Sequence, residues 1–400
     1  MSLRTERQGG VESQGSGAPT RRTALLERPF KEKPDFEHLR AVLLRERKDG
    51  PVPLLELVAD PEIMSEVTGI PYPAERAREV VWGNPDSFDP ETAELGIALM
   101  DLSIAYSAKL GLDYVTMTPL VALPRTRAQL ANTGVGRDQA LRSWQDEHVG
   151  LITNRDEFLR YRWPSFDQIN ILPVEYAATR MPDGMKVVLL YMGIFEDLRQ
   201  LMGFEPLAYA TADDPELVDD VLEGLTRIAE YTVGLAAAHP ATGAIFYADD
   251  MGFSSGTFLS PRFMRQHVIP RLKRIADACH EHGKPFILHS CGNVLSLMED
   301  FIDVVGIDAK HSFEDKILPV EDWYARYASR IAIIGGLDMD LLGRGSEEEV
   351  RARTRQILQA CAPGGGYCMG TGNSAANYIK LDNYYAMIDE TRKWNEEHGC

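Results

Sequence analysis

The sequence has few cysteines and no long apolar run, and each shortage excludes a class of protein. Five scattered cysteines in 400 residues do not make a disulfide framework, so we expect reduced thiols in a cytoplasmic protein. No stretch approaches the ~18 consecutive apolar residues of a membrane-spanning helix. The first 22 residues have no apolar core, so we expect no secretory signal there.

Positive charge is also scarce. Lys and Arg together number 42 against 60 Asp and Glu, which gives a net charge of −18. Such a surface repels phosphate groups, so we expect neither a nucleic-acid partner nor binding to an anionic membrane. Hydrophobic residues make up 44% of the chain and charged residues 26%, which is typical of a globular protein and excludes disorder throughout.

Short apolar runs alternate with amphipathic stretches along most of the chain. Residues 1–35, rich in Gly, Ser, Arg and Gln, are predicted to form a flexible tail, and residues 36–400 a single domain. The apolar runs are continuous, which is typical of buried parallel strands. The eight predicted strands are 53–58, 113–117, 186–191, 244–247, 285–289, 304–308, 331–334 and 366–369.

Helical patterns lie between these runs, at 91–110, 215–237, 260–282 and 346–360. Strands separated by helices imply parallel pairing. The pattern predicts an α/β fold, a (β/α)8 TIM barrel with an N-terminal extension, and a doubly wound open sheet is the alternative. The longest insertion, at about 119–180, is predicted to form a lid or side lobe.

A barrel concentrates functional residues after the C-terminal ends of its strands. There the sequence has His289-Ser-Cys291, and residues i and i+2 of a strand point to one face. Imidazole nitrogen and thiolate sulfur together suit Zn²⁺, and Cys368 near the last strand is a candidate third ligand. Three protein ligands leave a fourth position open, as in catalytic zinc sites. The alternative is two buried cysteines and a hydrogen-bonded histidine.

Two adjacent carboxylates, Asp249 and Asp250, follow another predicted strand. Tyr247 and Asp249 share one face of that strand, and Asp250 points the other way. We therefore predict that Asp249 faces the site and that Asp250 caps the following loop. Glycines 370 and 372 follow the last strand. No further strand follows them, so we interpret them as a turn that a ligand can approach closely rather than as a dinucleotide motif.

Several of these motifs together resemble the uroporphyrinogen decarboxylase superfamily, from about residue 51 to 396. The matching stretches are Tyr247-Ala-Asp249-Asp250-Met-Gly252, Ser260-Pro261-Arg-Phe-Met, His289-Ser-Cys291-Gly-Asn293, Gly335-Gly336-Leu-Asp338 and Gly364-Gly-Gly-Tyr-Cys368-Met-Gly-Thr-Gly-Asn373-Ser. The decarboxylases of this superfamily carry an arginine-containing segment near the N-terminus that grips carboxylates. Residues 53–60 lack it, so the resemblance favours the other branch, the corrinoid-dependent methyltransferases.

That branch implies a zinc-assisted transfer of a methyl group between a small O- or S-methyl substrate, or a thiol acceptor, and the cobalt of a corrinoid (cobalamin) on a separate protein. It implies zinc held by His289, Cys291 and Cys368, with Asp249 or water as the alternative third ligand. The resemblance also suggests three catalytic residues, Asp249, His289 and Cys291, and four substrate-binding residues, Tyr247, Asn293, Asp338 and Asn373.

Two other functions stay open. One is a metal-free decarboxylase acting on a tetrapyrrole-like acid, and the other is a non-catalytic barrel that binds a tetrapyrrole or corrinoid. The sequence leaves undecided the methyl donor and acceptor, the direction of transfer and whether the chain forms a homo-oligomer.

Overall fold

The computed structural model describes residues 29–79, 89–124, 129–132, 141–144 and 148–399. Most of the predicted flexible tail, residues 1–28, lies outside the described residues. The last residues of that predicted tail are packed, because the N–H of Phe30 donates to the carbonyl of Leu110 at 2.7 Å. Lys31 also forms an ion pair with the buried Asp113, with 2.7 Å between Nζ and Oδ2.

A parallel sheet of seven strands forms the centre of the described structure, in the order β1-β4-β5-β8-β9-β10-β11. Two short antiparallel hairpins, β2–β3 and β6–β7, accompany it. The strands are β1 (Tyr114–Met117), β2 (Gln129–Asn132), β3 (Leu141–Trp144), β4 (Lys186–Met192), β5 (Thr242–Ala248), β6 (Gly252–Phe253), β7 (Gly256–Thr257), β8 (Phe286–His289), β9 (Ala309–His311), β10 (Ala332–Ile334) and β11 (Tyr367–Cys368).

The strand order follows the chain order without reversal. A doubly wound sheet would change direction at a switch point, so this order excludes the open-sheet alternative. The first predicted strand, 53–58, continues the curl beyond β11, because Leu54 forms a parallel bridge with Met369. On its other side, the hydroxyl of Tyr114 in β1 accepts from the N–H of Glu56 at 2.7 Å. The fold is therefore a curled parallel half-barrel, and closure into a complete eight-stranded barrel stays a prediction.

Helices cover the sheet between successive strands, and three predicted helices match within a residue or two. They begin at side-chain caps, such as Asp214, which accepts from the N–H of Leu217, and the capping box of Ser346 and Glu349. The helices are α1 (Phe36–Leu43), α2 (Pro61–Thr68), α3 (Ala74–Glu79), α4 (Pro90–Leu110), α5 (Arg155–Arg160), α6 (Leu172–Ala178), α7 (Ile194–Met202), α8 (Phe204–Asp213), α9 (Pro215–Ala238), α10 (Pro261–Phe263), α11 (Ile269–His280), α12 (Met298–Asp300), α13 (Val320–Tyr327), α14 (Met339–Arg344), α15 (Glu347–Cys361) and α16 (Leu381–Glu397).

The predicted strand at 304–308 is wrong. Phe301–Val305 form a π-helical turn, which ends at Gly306 in the left-handed conformation with φ 80°. The strand, β9, begins only at Ala309. A short apolar run does not distinguish a buried helix end from a buried strand, and the glycine marks the helix end. Lys310 and His311 consequently lie within a strand rather than after it.

The insertion at 119–180 contains the β2–β3 hairpin, α5, a short 3-10 turn (Phe166–Gln168) and α6. Its antiparallel bridge between Leu120 and Asn170 brings the two ends of the insertion together. Among the described residues, no helix is both long and apolar enough to cross a membrane.

Candidate metal centre

Three side chains with metal-ligating atoms converge at the C-terminal edge of the sheet. His289 is the last residue of β8, Cys291 follows two residues later, and Asp250 lies two residues after β5. Their ligand atoms all lie within 4.8 Å of one another. Nε2 of His289 is 3.3 Å from Sγ of Cys291 and 3.4 Å from Oδ1 of Asp250. The structure thus brings the predicted pair, His289 and Cys291, to one point.

The backbone around this cluster is held by close packing of two loops. Asp250 Oδ1 accepts from the N–H of Cys291 at 2.9 Å, which ties the ends of β5 and β8 together. Gly292 has φ 77°, and a Cβ there would lie 2.2 Å from the backbone of Gly252. Only a glycine at position 292 therefore lets the loop after β8, which carries Cys291, approach the β6–β7 hairpin this closely.

The charges of the cluster are strongly perturbed. Burial acts to raise the pKa of Asp250, but its interactions with His289 and with Cys291 hold that pKa well below its ordinary value. For the thiol of Cys291, burial first and then the neighbouring Asp250 raise the pKa above its ordinary range. An ionised carboxylate beside an imidazole and a thiol is an electrostatic setting that a bound cation would relieve.

A second histidine, His311 of β9, lies directly behind His289. The two Nδ1 atoms are 2.7 Å apart, and Nε2 of His311 is 3.2 Å from the carbonyl oxygen of Thr371. His311 is fully buried, and burial together with the neighbouring His289 holds its pKa well below the ordinary value. This ring is therefore neutral near pH 7.

Polar groups also surround the thiol of Cys291. Nδ2 of Asn373 donates to its Sγ at 3.1 Å, and Oγ of Ser312 lies 3.5 Å away. Ser312 has a positive φ of 80°, unusual for a residue with a side chain, and its hydroxyl donates to the carbonyl of Gly372 at 3.1 Å. Backbone strain of this kind persists only where the surroundings determine it.

Lys310 supports this edge from inside the protein. It is fully buried, and its Nζ donates to the carbonyls of Ser290 at 3.0 Å, of Ser312 at 3.1 Å and of His311. Burial lowers its pKa to about 8, although the charges of Cys291 and Asp250 act in the opposite direction. The ammonium group thus ties the loop after β8, which carries Cys291, to the end of β9.

The predicted roles of Asp249 and Asp250 are reversed in the structure. Asp249 is fully buried, and its carboxyl oxygens accept from the N–H groups of Phe195 at 3.2 Å and of Glu196 at 2.8 Å. It therefore caps helix α7, and burial raises its pKa well above the ordinary value. Asp250, predicted to be the loop cap, is the carboxylate in the cluster. The two were predicted to point to opposite faces, but sequence alternation does not say which face the site occupies.

Cys368, the predicted third ligand, lies outside the cluster of Asp250, His289 and Cys291. It is a fully buried residue of β11, paired with Ile334 of β10. Burial, and then the charge of Asp113 before β1, raise the pKa of its thiol. Cys368 is the last residue of β11, but its thiol is not among the metal-ligating atoms that converge around His289.

The four predicted substrate-binding residues have different positions. Asn373 reaches the cluster through Cys291. Tyr247 is buried, and its hydroxyl accepts from the N–H of Ile194 at 2.8 Å, again at the start of α7. Asp338 caps α14 by accepting from the N–H of Leu341, and the side-chain oxygen of Asn293 accepts from the N–H of Leu295. For these three, the hydrogen bonds describe structural roles.

Sequence reasoning missed His311, Lys310 and Ser312 as parts of this site. Lys310 and His311 were visible as polar residues near a strand end, but the strand was predicted five residues too early. Correct placement of β9 from the glycine at 306 would have brought them into the strand beside His289. Nothing local in the sequence indicates the positive φ of Ser312.

The two ligand separations from His289 are compatible with a tetrahedral zinc ion. With zinc–nitrogen distances of about 2.0–2.1 Å and a zinc–sulfur distance of about 2.3 Å, tetrahedral ligand atoms lie roughly 3.3–3.6 Å apart. The separations measured from Nε2 of His289 are 3.3 and 3.4 Å. Nitrogen, sulfur and oxygen donors from three side chains are a set that is compatible with zinc.

Comparison with known proteins identifies the family. The family model described as Uroporphyrinogen decarboxylase (URO-D) matches residues 173–394, more than half of the chain, and the chain belongs to this family. A curated relative, the uroporphyrinogen decarboxylase of Anaeromyxobacter dehalogenans (strain 2CP-C), is 27% identical over 190 residues. These cover 47% of this chain and 51% of the relative, so the match spans about half the length of that protein.

A solved structure extends the likeness to nearly the whole fold. The methyltransferase from Methanosarcina mazei superimposes with a TM-score of 0.63, covering 91% of this chain and 99% of that one. The two sequences are 19% identical. This similarity establishes the shared α/β architecture.

Proposed function

We propose that this protein is a zinc-assisted methyltransferase that moves a methyl group between a small O- or S-methyl compound, or a thiol acceptor, and the cobalt of a corrinoid carried by a separate protein. The observation that carries the proposal is the convergence of Asp250, His289 and Cys291 at the sheet edge, with ligand spacings that suit zinc.

In this proposal, His289, Cys291 and Asp250 hold the metal. When bound, zinc supplies Lewis-acid chemistry, which polarises a methyl–oxygen bond or favours the anion of a thiol. In this set the carboxylate of Asp250 takes the place of the thiol of Cys368, which the sequence predicted as the third ligand beside His289 and Cys291. Aspartate is a harder ligand than cysteine, but zinc accepts carboxylate oxygen as well as sulfur.

The surrounding residues are suited to hold a thiolate in place. The amide of Asn373 donates to Sγ of Cys291, and a donor to sulfur favours the charged form of the thiol. The buried ammonium of Lys310 acts on the pKa of Cys291 in the same direction. Ser312 and Asn373 also contact the thiol, which limits its movement beside His289.

Two further observations support the methyltransferase branch. The described fold is similar over 91% of its length to a protein named as a methyltransferase. Residues 53–60 also lack the arginines with which decarboxylases of this superfamily bind several carboxylates. A metal-free decarboxylase is the second candidate, favoured by the curated relative that carries that name.

Elemental analysis of protein purified without chelator is the direct test. We expect about one zinc per chain, together with demethylation of methylcobalamin by a thiol or methylation of cob(I)alamin by a methyl donor. Cys291→Ala should remove both the zinc and the methyl transfer. The matched control is Cys279→Ala, which removes another buried thiol that lies in α11 and hydrogen-bonds to the carbonyl of Lys284; it should leave both unchanged.

The outcome that contradicts the proposal is a metal-free protein whose Cys291→Ala variant keeps all activity. Loss of carboxyl groups from a porphyrinogen by that metal-free protein would establish the decarboxylase instead.

A further inference from the structure

A buried chain of hydrogen bonds runs from the first predicted strand segment, 53–58, to the cluster. It begins at Glu56, whose Oε1 and Oε2 accept from the N–H of Thr371 at 3.0 Å and from its hydroxyl at 2.6 Å. The carbonyl of Thr371 lies 3.2 Å from Nε2 of His311. Nδ1 of His311 then lies 2.7 Å from Nδ1 of His289. All four residues are buried.

The carbonyl group of Thr371 determines which atoms donate and which accept in the hydrogen bonds between Thr371 and His289. A carbonyl oxygen only accepts hydrogen bonds, so the contact with Thr371 requires a proton on Nε2 of His311. In a neutral ring the other nitrogen, Nδ1, is then an acceptor. The 2.7 Å contact between the two histidines consequently requires that Nδ1 of His289 carries the proton and donates it to His311.

We propose that His311 is a positioning residue that selects the tautomer of His289. With the Nδ1 proton donated to His311, Nε2 is the nitrogen of His289 that faces Oδ1 of Asp250 and Sγ of Cys291. A cation bound between these groups would therefore meet Nε2. Metal-binding histidines commonly donate their second N–H to an acceptor that fixes the ring in this way. Here the acceptor is another imidazole rather than a carboxylate or a carbonyl.

The packing around His311 preserves this arrangement. Gly335 has φ 79°, and a Cβ at that position would lie 2.3 Å from the oxygen of Thr371 and 3.2 Å from Nε2 of His311. The glycine therefore gives the histidine room to reach the carbonyl. The ring also packs edge-to-face with Phe246, with 5.4 Å between the ring centroids. The two hydrogen bonds from Thr371 to Glu56 hold the acceptor carbonyl in place.

The consequence for metal binding rests on the proposed function, but the tautomer is a property of the metal-free protein. We therefore test it first by long-range ¹H–¹⁵N NMR of chelator-treated protein with ¹⁵N-labelled histidine, which distinguishes protonated from unprotonated ring nitrogens. The signals of His289 are assigned by their loss in His289→Gln. We expect a protonated Nδ1 in the wild-type protein. An unprotonated Nδ1 would overturn the proposal.

Variants of His311 separate a positioning role from a merely structural one. His311→Leu removes the acceptor, so we expect His289 to lose its preference for a protonated Nδ1 and zinc affinity to fall about 10- to 100-fold. His311→Gln keeps an oxygen to accept from His289 and an N–H to donate to Thr371, so we expect it to restore the tautomer and most of the affinity. His280→Leu removes another histidine, which pairs with Asp308 away from the site, and serves as the control.

Zinc affinity is measured by competition with a chromophoric chelator. Wild-type affinity in a folded His311→Leu variant would overturn the proposal, as would a His311→Gln variant no better than His311→Leu. If the wild-type protein binds no zinc, the proposed function fails, and the NMR measurement alone then decides whether His311 selects the tautomer.

Discussion

The ends of strands β5 and β11 both bring polar residues to the same edge of the sheet, yet they serve the cluster differently. After β5, Asp250 supplies a carboxylate whose oxygen lies 3.4 Å from Nε2 of His289. After β11, Asn373 supplies an amide that donates to Sγ of Cys291. The thiol of β11, Cys368, stays buried within the strand. One end thus provides a candidate ligand and the other a group that supports a ligand.

The comparison shows that residue type alone does not decide which side chain joins the cluster. Cys368 has the softer and more zinc-like side chain, but it is buried outside the cluster. Asp250 lies two residues beyond β5, where the backbone has left the sheet and turns toward Cys291. The difference between the two regions leads to four predictions.

The largest expected effect concerns Glu56, which supports the β11 end through Thr371. Burial raises the pKa of Glu56 to about 8 from an ordinary value of 4.5, although its hydrogen bonds with Thr371 lower it. Between these two values the folded protein keeps a proton that the unfolded chain releases. The free energy of unfolding should therefore fall by roughly 1.4 kcal/mol per pH unit from this group, on the order of 5 kcal/mol over the whole interval.

Glu56→Gln removes the titrating group, so the difference in stability between variant and wild type should grow in favour of the variant from pH 5 to pH 8. Urea unfolding at several pH values measures this. Glu348→Gln, a change of an exposed carboxylate, is the control and should run parallel to the wild type. Parallel curves for Glu56→Gln would show that Glu56 is ionised throughout.

The next effect distinguishes the adjacent carboxyls of the β5 end. Asp249→Ala leaves the N–H groups of Phe195 and Glu196 without their acceptor, so we expect the free energy of unfolding to fall by about 2–4 kcal/mol. Asp250 is only half-buried, so in metal-free protein Asp250→Ala should lower the free energy of unfolding by less than half as much as Asp249→Ala. Equal losses in chemical denaturation would contradict the assignment of Asp249 as a helix cap.

The zinc affinities of variants at the two strand ends, measured side by side, compare the ends of β5 and β11 directly. Asp250→Ala should lower zinc affinity roughly 100-fold or more, since removal of a residue that only hydrogen-bonds to a metal ligand already lowers metal affinity about 10- to 100-fold. Cys368→Ala should leave it unchanged, because the thiol lies within β11 outside the cluster. Competition with a chromophoric chelator provides the measurement, and circular dichroism verifies folding. A loss confined to Cys368→Ala would restore the ligand set expected from the sequence.

The smallest effect concerns the supporting amide of the β11 end. Asn373→Ala removes one hydrogen bond to sulfur, worth about 1 kcal/mol, so zinc affinity should fall about fivefold. Asn293→Ala is the matched control, because its side chain accepts from the N–H of Leu295 and serves the turn. The same chelator competition applies. A hundredfold loss in Asn373→Ala would mean that this residue does more than support the thiol.

Much of the fold was predictable because its determinants are local. The helix from Pro215 to Ala238 and the one after Ser346 follow from caps and periodicity, and continuous apolar runs located seven of the eight extended segments. The pairing of His289 with Cys291 was predicted from strand alternation, although β8 ends at His289 and Cys291 lies in the loop that follows. The failure at 304–308 arose where a short apolar run ends a helix, a case in which periodicity carries no information.

The sequence by itself determined the succession of strands and helices, the family to which the chain belongs and the histidine–cysteine pair, because these depend on neighbouring residues. Only the tertiary structure decided that Asp250 rather than Asp249 or Cys368 joins that pair, and that His311 lies behind His289. Those contacts join residues that are distant in the chain. They depend on which face of each strand meets the site and on where each backbone leaves the sheet, and neither is encoded within a few residues.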